Sequence, residues 1–170
     1  MRKKIFILSS FLLLILLIYA GCSPSNNNNK SANIYLEKTW IETIDGDTIK
    51  LKNLTGKVVL LDFWATWCPP CRASIPFLVN MYNKYEKDGF IVIGVNVNEN
   101  FEQMKGFLER ENMTYFIGYM NKDLNNLFNI TGIPTFVIFD KKGNLIKTQI
   151  GYDPSLDEKI DSIIVEELKK

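Results

Sequence analysis

The apolar and polar positions along this chain divide it into three stretches. An apolar run from Ile5 to Ala20 comes first, and a polar tract with four consecutive asparagines, residues 26–29, follows it. Such a tract cannot bury a core, so we expect residues 22–38 to form a flexible tether. In the remaining residues, 39–170, short apolar runs alternate with amphipathic segments. The length of this stretch suits one domain.

The alternation within residues 39–170 predicts a mixed order of strands and helices. Runs rich in β-branched and aromatic residues predict strands, and Asp45-Gly46 predicts a hairpin between the first two. The predicted strands are residues 39–44, 48–51, 90–97, 114–119, 136–140 and 145–150, together with a run that starts at Val58. Periodic apolar positions predict helices around residues 101–108, 124–128 and 156–168, and one that starts near residue 69.

The run from Val58 is uniformly apolar over its first four residues, and it leads to Cys68 and Cys71, which two prolines separate. It is too short and too uniformly apolar for an amphipathic helix, so it is typical of a strand buried on both faces. The apolar spacing that follows predicts a helix from Pro69 or Pro70 to Lys87. The strand therefore delivers Cys68 to a helix N-terminus, where free N–H groups and the macrodipole favour a thiolate.

This pair of cysteines also admits other interpretations. A structural zinc site needs four ligands, but the sequence holds no histidine and only one further cysteine, so none can be assembled. A c-type haem attachment needs histidine after the second cysteine, where Arg72 stands. A disulfide between residues three apart is more typical of catalytic than of stabilising bridges. The pattern therefore favours a working dithiol and disulfide that needs no metal or other cofactor.

Two motifs carry a resemblance to a known family. Asp62-Phe63-Trp64-Ala65 followed by Trp67-Cys68-Pro69-Pro70-Cys71 resembles thioredoxin, and so does Gly132-Ile133-Pro134-Thr135. The resemblance covers roughly residues 39–168 and implies a thioredoxin-like α/β fold, with a central mixed sheet flanked by helices and an N-terminal β-hairpin. The 63 residues from Cys71 to Pro134 leave room for an additional strand–helix insertion. Membrane-anchored thiol-disulfide oxidoreductases of the TlpA/ResA type carry such an insertion, and the chain resembles them most.

The resemblance implies roles for the residues around the dithiol. Cys68 is expected to be the attacking thiolate, and the more buried Cys71 is expected to resolve the mixed disulfide. Asp62 matches the buried acid of thioredoxin, where burial raises the pKa of a carboxyl group and suits it to relay protons near neutrality. The alternative for Asp62 is a solvated residue at the end of a strand.

The second motif is expected to help bind substrate. The resemblance implies that Pro134 follows a cis peptide bond and that the turn lies against the dithiol. In this arrangement the backbone of Ile133 is exposed for pairing with a substrate strand. Trp67 and Ile133 then line an apolar patch beside Cys68, although a lone tryptophan before a cysteine is more often part of a core.

The N-terminal stretch resembles an export signal. Arg2, Lys3 and Lys4 precede an apolar run that is short for a membrane-spanning helix, and small residues end it. Residues 18–22, Ile-Tyr-Ala-Gly-Cys, resemble a bacterial lipoprotein box with tyrosine in place of the usual leucine. The resemblance implies a signal peptide of residues 1–21 and lipid on Cys22; the alternative is a retained membrane anchor. In both cases the domain is expected to lie outside the cytoplasm, tethered to the cell membrane.

Charge and cysteine count limit the partners. Removing residues 1–21 takes away three of the 20 Lys/Arg and none of the 19 Asp/Glu, which leaves a net charge of about −2 and no sign of nucleic-acid binding. With Cys22 assigned to lipid, the two remaining cysteines form an even pair. We expect a monomer that acts on protein disulfides and receives electrons from a membrane thiol relay.

The sequence says less about the direction of disulfide exchange and about the physiological role. Pro69-Pro70 places neither imidazole nor cation between the cysteines to over-stabilise the thiolate, which favours a reductant over an oxidant. TlpA/ResA-type proteins commonly carry Glu where Ser74 stands, and often Asn where Asp62 stands. Cytochrome c maturation and oxidative-stress defence therefore both stay open. The alternatives from other classes are a non-catalytic lipoprotein that binds partners and a peroxiredoxin-like peroxidase, whose Pro-x-x-x-Thr-x-x-Cys pattern the sequence lacks.

Overall fold

The computed structural model describes residues 34–170, which contain seven strands and four α-helices of at least seven residues. The strands are β1 Trp40–Glu42, β2 Thr48–Lys50, β3 Val58–Trp64, β4 Phe90–Asn96, β5 Phe116–Tyr119, β6 Thr135–Phe139 and β7 Leu145–Ile150. The helices are α1 Pro69–Tyr85, α2 Phe101–Glu111, α3 Lys122–Phe128 and α4 Asp157–Lys169. Each of these elements was predicted from the sequence.

Five strands form a central mixed sheet in the order β5-β4-β3-β6-β7. The strands β3, β4 and β5 run parallel, whereas β6 is antiparallel to both β3 and β7. The strands β1 and β2 form a separate antiparallel hairpin, which meets the sheet through a bridge between Thr43 and Gly118. The predicted fold class is confirmed, including the N-terminal hairpin and the strand–helix units between α1 and β6.

Strand β3 is the centre of the core, and all seven of its residues are buried. Because successive side chains of a strand point to opposite faces, its residues divide between two apolar clusters. Leu60 and Trp64 pack on the face covered by α1, α2 and α4. Leu61 and Phe63 pack on the other face, against β1 and α3. Burial on both faces explains why the run from Val58 lacks the alternation of a half-exposed strand.

The helix ends follow ordinary capping chemistry. Helix α1 continues through Pro76, and its predicted last turn is a 3-10 turn, Glu86–Asp88, that ends at Gly89 with a φ of 99°. Helix α2 begins with a capping box between Asn100 and Gln103.

The described residues begin inside the tether that the sequence suggested. Residues 34–38 are helical, and the Tyr35 ring stacks on Phe128 with centroids 5.5 Å apart. The folded domain therefore begins before residue 39. The predicted signal peptide, Cys22 and the asparagine run lie outside the described residues. Within residues 34–170, no helix combines the length and apolar character needed to cross a bilayer.

Candidate active site

Three loops converge at one edge of the sheet, because parallel strands end together and an antiparallel neighbour begins there. Trp64, the last residue of β3, pairs with Asn96, the last residue of β4. Phe63 pairs with Thr135, the first residue of β6. The loop that carries the cysteines, the loop after β4 and the turn before β6 therefore meet at this edge.

The two cysteines lie at the start of α1, as the sequence predicted. Cys68 is the N-cap, its Sγ accepts a hydrogen bond from the Cys71 N–H at 3.3 Å, and the two residues form a disulfide. Pro69 and Pro70 occupy the first turn of the helix, where their missing N–H groups cost no intrahelical bond. In this oxidised form Cys68 is 3% exposed and Cys71 is fully buried. The predicted difference in exposure is present but small.

Asp62 is buried on β3 between its partners Gly94 on β4 and Phe136 on β6. Neither carboxylate oxygen has a hydrogen-bond partner among the described residues. Burial raises the pKa of Asp62 from 3.8 to about 8, because an apolar environment disfavours the charged form. The alternative of a solvated residue at the strand end is wrong, because the Asp62 side chain is fully buried.

The turn before β6 and the tryptophan before the cysteines border a groove at the same edge. The peptide bond between Ile133 and Pro134 is cis, as predicted, and Trp67 is 58% exposed. The Trp67 indole donates to Asn98 Oδ1 at 3.3 Å. The groove has a volume of about 330 Å³ and is lined by Trp67, Val97, Asn98, Met120, Asn125, Ile130, Gly132 and Ile133. Trp67 and Ile133 therefore share one mainly apolar recess.

The sequence analysis missed a carboxylate that holds the cysteine loop. Glu99 accepts a hydrogen bond from the Thr66 N–H at 2.7 Å, another from the Thr66 hydroxyl, and one from Asn96 Nδ2 at 2.8 Å. Partial burial alone would raise the pKa of Glu99, but these hydrogen bonds outweigh it and hold the pKa below its usual value. The polar run directly after the buried strand β4 was the available signal.

Ser74 makes a local contact only. It is buried, and its hydroxyl donates to the Cys71 carbonyl oxygen at 2.8 Å. Asp62 is thus the acid that the structure buries on the face of the sheet covered by α1. Residues 34–170 contain no group of three or more His, Cys, Asp or Glu side chains arranged to hold a metal ion.

Comparisons with known proteins agree with this geometry. The thiol-disulfide oxidoreductase ResA of Halalkalibacterium halodurans is 33% identical over 113 residues, which are 65% of this chain and 64% of that protein. ResA of Bacillus subtilis is 24% identical over 160 residues, which are 88% and 87% of the two chains. A thiol:disulfide interchange protein of the thioredoxin family from Chlorobium tepidum has a solved structure that superposes with a TM-score of 0.69 at 31% identity. The superposition covers 76% of this chain and 92% of that one.

The family assignment rests on the length of the matched segment. A sequence model of the Redoxin family matches residues 38–164, which include every strand and most of α4. The motif cysteines, the buried acid and the cis-proline turn all fall inside that segment. The chain therefore belongs to the Redoxin family and is a thiol-disulfide oxidoreductase of the ResA type with a thioredoxin-like fold.

Proposed function

We propose that this protein is a membrane-anchored, extracytoplasmic enzyme that reduces protein disulfides through Cys68 and Cys71. The observation that carries the proposal is the Cys68–Cys71 disulfide at the N-terminus of α1, on the same side of the sheet as the buried carboxyl group of Asp62. This arrangement provides a nucleophile, a resolving thiol and a proton carrier.

The first half of the reaction joins enzyme and substrate. The Cys68 thiolate of the reduced enzyme attacks one sulfur of the substrate disulfide, forms a mixed disulfide and releases the other substrate sulfur as a thiolate, which takes up a proton. The helix N-terminus stabilises the attacking thiolate, since the Cys71 N–H already points at Cys68 Sγ.

The second half releases the product. The Asp62 carboxylate takes the proton from the Cys71 thiol, and the resulting thiolate attacks Cys68 Sγ. The Cys68–Cys71 disulfide forms, and the second substrate sulfur leaves as a thiolate that is protonated. Two electrons have then passed from the enzyme to the substrate, the two product thiolates have taken their protons from solvent, and Asp62 holds the proton of Cys71. In the reverse direction the Asp62 carboxylic acid returns its proton to Cys71 as that sulfur leaves.

The groove beside the disulfide supports a peptide substrate. Its wall contains the exposed ring of Trp67 and the turn at Ile133, so an apolar side chain near the substrate cysteine would be buried there. The absence of a cation or imidazole between the cysteines favours reduction of substrate over oxidation. A reductant outside the cytoplasm needs a thiol donor in the membrane, and the cytochrome c pathway is one candidate destination for its electrons.

The order of attack tests this proposal. In the reduced full-length protein, iodoacetamide should label Cys68 faster than Cys71, because Cys68 lies at the helix terminus. Cys71→Ser should trap a mixed disulfide with a disulfide-bonded peptide, and the matched variant Cys68→Ser should trap none. Peptide mapping by mass spectrometry identifies the labelled sulfur. Preferential labelling of Cys71, or trapping through Cys71, would overturn the assignment.

A further inference from the structure

Three buried side chains on the face of the sheet that α1 covers share an unusual property. Both carboxylate oxygens of Asp62, Nε1 of Trp64 and the hydroxyl of Tyr115 are buried, and none has a hydrogen-bond partner among the described residues. Trp64 and Tyr115 belong to the apolar cluster between the sheet and α1. Asp62 lies on the same face, because it is two residues before Trp64 on one strand. Buried polar groups are normally paired, so three on one face form a notable set.

Gly94 shows how close these groups lie. Gly94 pairs with Asp62 across β3 and β4, so a side chain at position 94 would stand beside that of Asp62. A Cβ atom on Gly94 would lie 3.0 Å from Trp64 Nε1 and 3.2 Å from Cε2 of Tyr115. The indole, the phenol ring and the Ile117 side chain, whose Cδ1 would be 3.0 Å from that Cβ atom, therefore fill the space next to Asp62 that a side chain at position 94 would otherwise take.

The chemistry of the set is complementary. An ionised carboxylate accepts hydrogen bonds only, whereas the indole N–H is a donor and the phenol can donate. Burial, and then the charge of Asp62, raise the pKa of Tyr115 well above its usual value, so its hydroxyl keeps its proton throughout the working pH range. The other titratable side chains in or against this cluster are Cys68, Cys71, Tyr82, Tyr85, Tyr119 and Tyr152. The Tyr82 ring lies 6.3 Å from that of Tyr115.

We propose that Tyr115 and the Trp64 indole N–H stabilise the Asp62 carboxylate after the Asp62 proton has moved to Cys71. Each donates a hydrogen bond to the carboxylate, directly or through one water molecule. This inference rests on the proposed function. Tyr115 is a positioning residue, because it acts on Asp62 and not on the sulfur atoms. When Cys71 leaves the disulfide, the Asp62 carboxylic acid gives its proton to that sulfur and becomes an anion. The two donors then stabilise an anion whose burial in an apolar core would otherwise be energetically costly.

The variant Tyr115→Phe tests the role, because it removes one hydroxyl and keeps the ring. Loss of a donor to the anion should raise the pKa of Asp62 by about one unit. The pKa is read from the ¹³C shift of the Asp62 carboxyl carbon in the oxidised and reduced full-length protein. The pH profile of the resolving step, measured in single turnovers, should move upward by the same amount. An unchanged Asp62 pKa in Tyr115→Phe would sink the inference.

Two controls separate this role from simple packing. Tyr82→Phe removes a partly exposed hydroxyl from the neighbouring ring. It should leave both the Asp62 pKa and the pH profile of the resolving step unchanged. In an Asp62→Asn background, Tyr115→Phe should shift no profile, since no carboxylate is left to stabilise. A shift that persists there would show that Tyr115 acts through packing. If the wild-type protein exchanges no disulfides, the proposed function fails; if it exchanges them with the Asp62 pKa independent of Tyr115, only this inference fails.

Discussion

At the scale of single residues, the buried carboxyl group of Asp62 has a direct consequence for stability. Its pKa is about 8 in the folded protein and 3.8 without burial, so the unfolded chain releases this proton at lower pH. As pH rises from 4 towards 8, ionisation favours the unfolded state and Asp62 destabilises the fold; above pH 8 the penalty is constant. Between pH 4 and pH 7 this penalty amounts to about 4 kcal/mol.

Asp62→Asn should remove that penalty while keeping the size of the side chain. Urea unfolding of the oxidised protein should therefore show a variant that gains stability relative to wild type as pH rises from 4 to 8. Resolution by Cys71 should meanwhile slow near neutral pH, by at most roughly the 10²–10⁴-fold of a lost general acid–base group. The exposed Asp88→Asn is the matched control and should change neither quantity. A less stable Asp62→Asn variant with wild-type exchange rates would make Asp62 a structural residue.

The Glu99 carboxylate should stabilise the cysteine loop in the opposite pH range. Its pKa is held below the usual value, so its contribution is present at neutral pH and is lost as pH falls through the folded pKa. Glu99→Gln removes the negative charge, and a neutral amide oxygen accepts hydrogen bonds from the Thr66 N–H and Asn96 Nδ2 more weakly than the carboxylate does. Unfolding at pH 7 should cost about 1–2 kcal/mol less, and the difference should shrink in acid.

The control for Glu99→Gln is Glu109→Gln, a change at an exposed position of α2. The two variants differ in whether the carboxylate holds the loop before Cys68. Disulfide exchange should slow in Glu99→Gln only, because the nucleophile is less well positioned. Equal stability of the two variants at pH 7 would show that the contacts of Glu99 are not needed to hold this loop.

Local sequence signals identified some site residues and missed others for a physical reason. Asp62 and Pro134 could be predicted because each belongs to a motif or a buried run. Glu99 contacts Thr66 across 33 residues of sequence, and the surroundings of Tyr115 depend on how two neighbouring strands pack. The polar run after β4 marks the position of Glu99, but which residues Glu99 and Tyr115 contact depends on the three-dimensional arrangement and has no local pattern.

At the scale of elements, the hydrophobic pattern predicted all of β1–β7 and α1–α4 but missed the helical residues 34–38, and its other errors lie at the ends of elements. The last predicted turn of α1 became a 3-10 turn because Gly89 ends the segment in a left-handed conformation. Asn112 and Asn129 end α2 and α3 in the same conformation, with φ of 49° and 48°. Asparagine tolerates that region better than most residues, so both positions were available signals.

The contact between the N-terminal hairpin and the sheet has no signal in the pattern. It depends on Gly118 in β5, where a Cβ atom would lie 2.4 Å from Cγ2 of Ile41 and 2.5 Å from the Glu42 carbonyl oxygen. Gly118→Ala should push the hairpin away and destabilise the protein by about 1–3 kcal/mol. Urea unfolding measures the loss, and hydrogen exchange should show it concentrated in β1 and β2.

The matched change is Gly106→Ala on α2, where the nearest atom outside the local backbone is an Arg110 side-chain nitrogen at 3.5 Å. There the new methyl group fits, and alanine restricts the unfolded chain, so stability should rise by about 0.5–1 kcal/mol. The two glycine-to-alanine changes should thus have opposite effects on stability: Gly118→Ala lowers the free energy of unfolding, and Gly106→Ala raises it. A neutral Gly118→Ala would mean that the hairpin can move at little cost.

At the scale of the whole molecule, the two proposed properties, disulfide exchange and membrane attachment, depend on different parts of the chain. The redox site lies within residues 34–170, where one edge of the sheet gathers the disulfide, the cis-proline turn and the groove. The proposed attachment to the membrane depends on residues 1–22 and on chemistry at a third cysteine. Exchange activity and membrane attachment should therefore be separable by single substitutions.

Cys22→Ser tests this separation, and Cys68→Ser is its matched control because both replace one cysteine by serine. If Cys22 carries lipid, Cys22→Ser should lose the acyl label and either leave the membrane fraction or retain its signal segment. The purified Cys22→Ser protein should still reduce a disulfide substrate at the wild-type rate, since its dithiol is intact. Cys68→Ser should show the reverse: acyl label, membrane fractionation and no exchange. A wild-type protein without acyl label and with residues 1–21 still attached would contradict lipidation and favour the retained anchor.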